Sequence, residues 1–168
     1  MTLKLKIVDK NYHVVENVIR VGIGEYAVAK PPKILTTILG SCVAIILYDC
    51  KIKVGGLAHI VLPYPRTQNI DEDSLGKYAS TAIPLLLSKM QRLGADRRNV
   101  VAGIVGGASL LPSLLKNFNV GKRNAEVVSS ILIRENIPVV IKEIGGRSGR
   151  TLYFILEEGV VVISYTKL

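Results

Sequence analysis

The stretch VAIILYDCKIKVGGLAHIVL, residues 43–62, contains two apolar runs on either side of a short polar link. Residues 43–48 and 54–62 are each long enough for a buried strand, and Asp49-Cys50-Lys51-Ile52-Lys53 joins them. Two such runs separated by a few polar residues are typical of a β-hairpin. The stretch therefore predicts an antiparallel pair of buried strands.

Further strand-length runs lie before and after this hairpin. They predict strands over 3–8, 18–21, 26–29, 34–38, 100–105, 139–144, 151–156 and 160–165. Gly22-Ile23-Gly24 predicts a turn and not a phosphate loop, because a third glycine and a following helix are both missing.

Helical periodicity is confined to the middle of the chain. It predicts helices over 74–93 and 122–135 and a short helical turn over 109–117. Asp73 or Ser74 would cap the first helix, and Pro84 would kink it. Strands outnumber helices about three to one, which predicts an α+β fold with mixed, largely antiparallel sheets and helices on the outer faces. We expect one domain over 1–168.

Composition limits the class of protein. Hydrophobic residues make up 49% of the 168 residues and charged residues 21%, which favours a packed core over disorder. There is no apolar run of transmembrane length and no signal-peptide pattern, so we expect a soluble protein in the cytoplasm. The net charge of +9 favours an acidic partner. Aromatic residues are not interleaved with the cations in a base-stacking pattern, which argues against nucleic acid.

Cys42 and His59 are the candidate catalytic pair. A hairpin centred between Cys50 and Lys51 would place Cys42 directly opposite His59, with their Cβ atoms about 4.5–5.5 Å apart. An imidazole beside a thiol favours the nucleophilic thiolate and can protonate a leaving group. The alternative is structural, because a cysteine in an apolar run is often only a small core residue.

Residues just before Cys42 could complete such a site. Gly40 and Ser41 would bring backbone N–H groups close to an oxyanion formed at the thiol. No carboxylate is placed to orient the imidazole, so a hydroxyl from Thr36 or Thr37 is the remaining candidate.

The other cysteine and histidine suggest no chemistry. Cys50 lies in the predicted turn without a partner, and His13 lies in a polar segment that we expect to be exposed. The spacing does not suit zinc ligands, so we expect no metal site and no cofactor.

The ordered motifs of the chain resemble the CheD family of chemoreceptor glutamine deamidases. The resemblance covers residue 18 to the end of the chain. Its motifs are Gly22-Ile23-Gly24-Glu25-Tyr26-Ala27-Val28, Leu39-Gly40-Ser41-Cys42-Val43-Ala44, Gly55-Gly56-Leu57-Ala58-His59, Ala82-Ile83-Pro84-Leu85-Leu86-Leu87, Gly106-Gly107-Ala108 and Gly145-Gly146-Arg147-Ser148-Gly149-Arg150-Thr151.

This resemblance implies a cysteine hydrolase that converts receptor glutamines to glutamates in chemotaxis adaptation. The catalytic residues it implies are Cys42, His59 and Thr36, because the family threonine stands six residues before the cysteine. The implied fold is an α/β sandwich related to bacterial toxin deamidases. The implied partners are the cytoplasmic helices of methyl-accepting chemoreceptors and the phosphatase CheC.

Two departures and two other functions accompany this interpretation. Ser109-Leu110-Leu111 replaces a segment that often carries methionine in the family, and residues 1–17 extend beyond shorter members, where they could add an edge strand. The chain could instead act chiefly as a binding regulator of CheC, or as another cysteine acyl hydrolase such as a peptidase. We expect a monomer that does not insert into the membrane.

Overall fold

The computed structural model describes residues 2–110 and 120–166. Its ten strands form two five-stranded sheets, in the orders β1-β10-β9-β4-β2 and β3-β6-β5-β7-β8. The strands are β1 Lys4–Val8, β2 Val18–Arg20, β3 Tyr26–Ala29, β4 Ile34–Leu39, β5 Val43–Asp49, β6 Val54–Ile60, β7 Val100–Gly106, β8 Val139–Ile144, β9 Arg150–Ile155 and β10 Val160–Tyr165. Helices α1 Ala79–Arg92 and α2 Val120–Arg134 complete the regular structure, together with 3-10 segments at Glu72–Lys77 and Arg97–Asn99.

The two sheets pack face to face, and the helices cover one of them. Alternate residues of β5, among them Ala44 and Ile46, pack with residues of β4, β9 and β10 in an inter-sheet core. The intervening residues, among them Val43 and Ile45, pack against α1 and α2 on the other face. This strict alternation on two buried faces explains why β5 reads as a continuous apolar run.

These layers confirm the predicted α+β fold with mixed, largely antiparallel sheets. Parallel pairing occurs between β1 and β10, between β2 and β4, and between β7 and β8. Both described helices lie on the outer face of the second sheet, against β3, β5, β6, β7 and β8. Strand β1 is the edge strand that the N-terminal extension could add.

The first helix is shorter than its periodicity predicts. The prediction of one helix over 74–93 was wrong, because Tyr78 is extended (φ −112°, ψ 135°) and separates the 3-10 segment from α1. Tyr78 forms a parallel bridge with Leu62, and the N–H groups of Val61 and Leu62 both donate to the carbonyl of Lys77. Pairing with the end of β6 therefore outweighs helical propensity here, and neither Asp73 nor Ser74 caps α1.

The turn between β5 and β6 is held by a buried carboxylate. Asp49 is fully buried, and its Oδ1 accepts the backbone N–H of Lys51 at 2.9 Å. Its Oδ2 accepts the N–H of Asp96 at 2.8 Å, which ties the turn to the segment after α1. Lys53 then closes the turn at φ 58° and donates to the Asp49 carbonyl. Asp49 therefore fixes the length of the turn.

Asp49→Ala should lower the free energy of unfolding by about 3 kcal/mol, because it removes the buried carboxylate that accepts the N–H groups of Lys51 and Asp96. Glu157→Ala is the matched control, since that exposed carboxylate pairs with Lys53 at the surface and its loss should cost under about 1 kcal/mol. Urea denaturation of both variants measures the difference. Equal losses would show that the Asp49 carboxylate does not stabilise the turn.

Candidate active site

Cys42 lies in the loop that connects the two sheets, between β4 and β5. The loop is Gly40-Ser41-Cys42, with Ser41 exposed and Cys42 half-buried. The carbonyl of Cys42 accepts the N–H of Gly107 at 2.8 Å, and the carbonyl of Gly40 accepts the N–H of Ala108 at 3.0 Å. The segment after β7 therefore holds the backbone on both sides of Ser41.

The close approach of these two loops requires glycine after β7. Gly106 has φ 117°, and a Cβ there would lie 2.4 Å from the carbonyl oxygen of Cys42. Gly121, in the first turn of α2, has a similar restriction, because its Cβ would lie 2.7 Å from the Ser41 carbonyl oxygen. The Gly-Gly sequence after β7 thus permits the packing that holds the cysteine.

His59 lies on β6, and the β5 residue opposite it is two residues away from the one that the sequence predicts. The predicted register was wrong: Ala44, not Cys42, is opposite His59, because the turn is centred between Lys51 and Ile52. A shift of two residues keeps every side chain on its face of the sheet. Cys42, one residue before β5, packs against the inter-sheet core and therefore lies on the same side of the second sheet as His59.

The backbone of His59 is held from the other edge of β6. Its carbonyl accepts the N–H of Gly24 at 3.0 Å, and its N–H donates to the carbonyl of Glu25 at 3.0 Å. The Glu25 carboxylate in turn accepts the N–H of Gly22 at 2.8 Å. The Gly22-Ile23-Gly24 turn, predicted not to be a phosphate loop, thus supports the candidate base.

The imidazole of His59 crosses the inter-sheet layer to a threonine of the first sheet. His59 is only 2% exposed, and its Nδ1 lies 2.8 Å from Oγ1 of Thr37. Among the described residues its Nε2 has no hydrogen-bond partner. Burial lowers the pKa of His59 below its ordinary value, so the ring is neutral near pH 7.

The single hydroxyl proton of Thr37 fixes the tautomer of that neutral ring. Thr37 donates this proton to the buried carbonyl of Val21 at 2.7 Å. Towards His59 its oxygen can then only accept, so Nδ1 carries the ring proton and Nε2 carries the lone pair. The unpartnered Nε2 is therefore the nitrogen that can take a proton from a thiol.

Cys42 supplies the thiol for such a transfer. Burial raises the pKa of the Cys42 thiol above its ordinary value, so the thiol is protonated near pH 7, and it forms no hydrogen bond with Nε2 of His59. The backbone N–H groups of Gly40, Ser41 and Cys42 form no hydrogen bond with another described residue. They are therefore the candidate donors for an oxyanion on a substrate bonded to the sulfur.

The remaining cysteine and histidine lie away from this constellation. Both cysteines are free, and Cys50 is buried in the inter-sheet core next to the turn. His13 is exposed, as predicted. Within residues 2–110 and 120–166 there is no group of three side chains that could hold a metal ion, and no helix is long and apolar enough to cross a bilayer.

A family comparison adds to this geometry. The sequence model of the family described as CheD chemotactic sensory transduction matches residues 61–165, which is more than half of the chain. The chain belongs to the CheD family.

Individual CheD relatives match most of the chain, including the region before residue 61. A probable chemoreceptor glutamine deamidase CheD of Methanococcus vannielii is 44% identical over 146 residues, which cover 87% of this chain and 94% of that protein. The protein of the same name from Clostridium novyi is 45% identical over 148 residues, covering 86% and 91%. A solved structure, the hypothetical protein YfiH of Bacillus licheniformis, is 15% identical with a TM-score of 0.43, covering 82% of this chain and 62% of that one.

The threonine implied by the CheD resemblance is not the one that contacts the imidazole. Thr36 was expected to orient His59, but its hydroxyl donates to the carbonyl of Leu152 at 2.7 Å. Neighbouring residues of a strand point to opposite faces, and Thr37 is the one on the inter-sheet face. The sequence does not show which threonine faces the second sheet, because apolar residues stand two positions away on both sides of each. These are Ile34 and Ile38 for Thr36, and Leu35 and Leu39 for Thr37.

Thr37→Val should release the tautomer of His59, whereas Thr36→Val should leave it unchanged. Each variant removes one buried hydroxyl and its hydrogen bond to a backbone carbonyl, so the pair differs in the contact with His59 that only Thr37 makes. ¹⁵N–¹H spectra of ¹⁵N-histidine-labelled protein in a His13→Gln background report which ring nitrogen is protonated. We expect Nδ1–H in the unsubstituted background and in Thr36→Val, and a population of Nε2–H in Thr37→Val. An unchanged tautomer in Thr37→Val would exclude this role of the hydroxyl.

The alkylation of Cys42 should follow a pH profile with its midpoint above the ordinary thiol value of about 8.5. Only the thiolate reacts, and burial raises the pKa of Cys42, so the reaction is slow at pH 7 and rises as the pH is increased. Mass spectrometry after brief iodoacetamide treatment measures the rate, and Cys42→Ser shows what buried Cys50 contributes. Rapid alkylation that is constant down to pH 5 would instead indicate a preformed thiolate–imidazolium pair.

Proposed function

We propose that this chain is a cysteine-dependent protein-glutamine deamidase that acts on chemoreceptors. The observation that carries the proposal is the unpartnered Nε2 of buried His59 in the same inter-sheet layer against which Cys42 packs. CheD family membership and the names of the relatives supply the substrate class.

The first half of the reaction forms a thioester. The Cys42 thiol gives its proton to Nε2 of His59, and the sulfur attacks the side-chain amide carbon of a receptor glutamine. The negative charge that develops on the amide oxygen is stabilised by the backbone N–H groups of Gly40, Ser41 and Cys42; each such donor is typically worth about 100–1000-fold in rate. His59 returns the proton to the departing nitrogen, the carbon–nitrogen bond breaks and ammonia leaves.

The second half hydrolyses the thioester. Nε2 of His59 accepts a proton from water, and the resulting hydroxide equivalent attacks the acyl carbon. The carbon–sulfur bond breaks, and His59 returns the proton to the Cys42 sulfur. The substrate leaves with a glutamate in place of the glutamine, and Thr37 keeps Nδ1 protonated throughout.

The basic surface and CheC form the binding part of the proposal. The net charge of +9 suits an acidic partner surface, and complementary charge mainly raises the rate of encounter. CheC binding follows from the CheD resemblance. A chain that regulates CheC without catalysis, and one that cleaves peptide bonds, are the two alternatives that the decisive experiment must separate.

Cys42→Ala should abolish the deamidation of receptor fragments, and His59→Gln should slow it by at least about 100-fold through loss of general acid–base catalysis. Mass spectrometry detects the gain of about one mass unit that accompanies conversion of an amide to a carboxylate. Cys42→Ala should still bind CheC, because only a side-chain sulfur is removed.

Deamidation by Cys42→Ala at the wild-type rate would refute the cysteine mechanism. Binding of CheC by a wild-type chain without deamidase activity would favour the regulator, and shortened receptor peptides would favour a peptidase. Thr36→Val is the matched control for a buried hydroxyl next to the site, and it should retain activity within a few-fold of wild type.

A further inference from the structure

Arg150 is the feature of the inter-sheet layer that the proposed chemistry leaves unused. It is the first residue of β9, only 1% exposed, and its strand neighbours are Leu39 of β4 and Tyr165 of β10. Leu39 immediately precedes the Gly40–Cys42 loop. The guanidinium therefore lies at the end of the sandwich that carries the candidate active site.

The partners of this buried cation are carbonyl groups. Nη1 donates to the carbonyl of Glu143 at 2.9 Å, and Nη2 donates to the carbonyl of Gly145. The Tyr165 ring covers the guanidinium at 5.1 Å. Among the described residues no carboxylate forms an ion pair with Arg150, and Nε has no partner.

Burying a cation without a paired carboxylate costs desolvation free energy. Here it joins the two sheets, because Arg150 belongs to the first sheet and Glu143 to the last strand of the second. It also fixes the backbone just after β8, where Gly145 and Gly146 adopt φ 87° and 74°.

That segment is bonded to the loop that holds Cys42. The N–H of Gly145 donates to the carbonyl of Gly106 at 2.8 Å, and the N–H of Ser109 donates to the carbonyl of Gly146 at 2.9 Å. The intervening N–H of Gly107 is the donor to the Cys42 carbonyl. An unbroken series of hydrogen bonds thus runs from the guanidinium to the backbone of the candidate nucleophile.

We propose that Arg150 is a positioning residue that holds Cys42 in its reactive place through the loops after β8 and β7. It does not touch the substrate. The inference rests on the proposed function for its effect on turnover, but its effect on the environment of the Cys42 thiol is independent of that function.

The chain offers a matched control at the opposite end of the same layer. The Tyr48 hydroxyl, on β5, donates across the sheets to the carbonyl of Leu156 at 2.7 Å. Tyr48→Phe removes that polar link between the sheets without touching the loops around Cys42. It therefore measures what the loss of a link between the sheets does by itself.

The experiment compares Arg150→Met, Arg150→Lys and Tyr48→Phe with wild type, at a temperature where circular dichroism shows all four folded. Arg150→Met should lower kcat for receptor deamidation by roughly 10–100-fold with KM within about twofold, because small misplacements of reacting groups carry penalties of this size. The kcat of Arg150→Lys should lie between those of Arg150→Met and wild type, because an ammonium group cannot reproduce the two hydrogen bonds of the guanidinium to the carbonyls of Glu143 and Gly145. Tyr48→Phe should retain kcat within twofold.

The pH profile of Cys42 alkylation is the second readout. Loosening the loop admits water to the thiol, so the alkylation midpoint of Arg150→Met should move down towards the ordinary thiol value while turnover falls. Should Arg150→Met not fold, Arg150→Lys carries both readouts. An Arg150 variant that matches Tyr48→Phe in kcat and in alkylation midpoint would overturn the proposal. If wild type deamidates nothing, the proposed function fails, and the alkylation comparison still decides the role of Arg150.

Discussion

The register between β5 and β6 determines where the candidate catalytic side chains of this CheD-family chain, Cys42 and His59, lie. With Ala44 opposite His59, the imidazole points into the layer between the two sheets. A slip of one residue would turn it to the face covered by α1 and α2, out of reach of Thr37. The turn held by the Asp49 carboxylate therefore acts on the site from the far end of the hairpin, where Asp49 pairs with Val54, five residues before His59.

The inter-sheet layer gives the site its electrostatic character. Apolar side chains fill this layer, so it disfavours charge: the pKa of the Cys42 thiol is raised and that of His59 is lowered, both by burial. Two polar side chains form hydrogen bonds across this layer, His59 with Thr37 and Tyr48 with the carbonyl of Leu156. In such surroundings the free backbone N–H groups near Cys42 would stabilise a developing oxyanion more strongly than in water.

The sequence predicts a strand well where it carries a continuous apolar run, as β5 and β10 do, or where polar and apolar residues alternate, as in β1. It fails where contacts distant in sequence decide the outcome. Tyr78 leaves the helical pattern because its neighbours pair with the end of β6, and the hairpin is offset by two residues because Asp49 lengthens the turn. Cys42 and His59 nevertheless share a face, since an even offset preserves it. The pattern of apolar residues along β4 does not show whether Thr36 or Thr37 faces His59. The packing of the two sheets decides it, because it brings Thr37 to the imidazole.

A hydroxyl beside His59 has a different consequence from the carboxylate that often orients a catalytic histidine. A buried carboxylate would attract the ring proton as part of an imidazolium and raise the pKa of His59. Thr37 has already given its only proton to Val21, so it fixes the tautomer without favouring the charged ring. In the proposed mechanism the thiol stays protonated until a substrate enters and the oxyanion donors begin to stabilise the negative charge. Coupling proton transfer to substrate binding in this way would keep Cys42 unreactive towards other electrophiles, because burial disfavours both the thiolate and the imidazolium in the resting site.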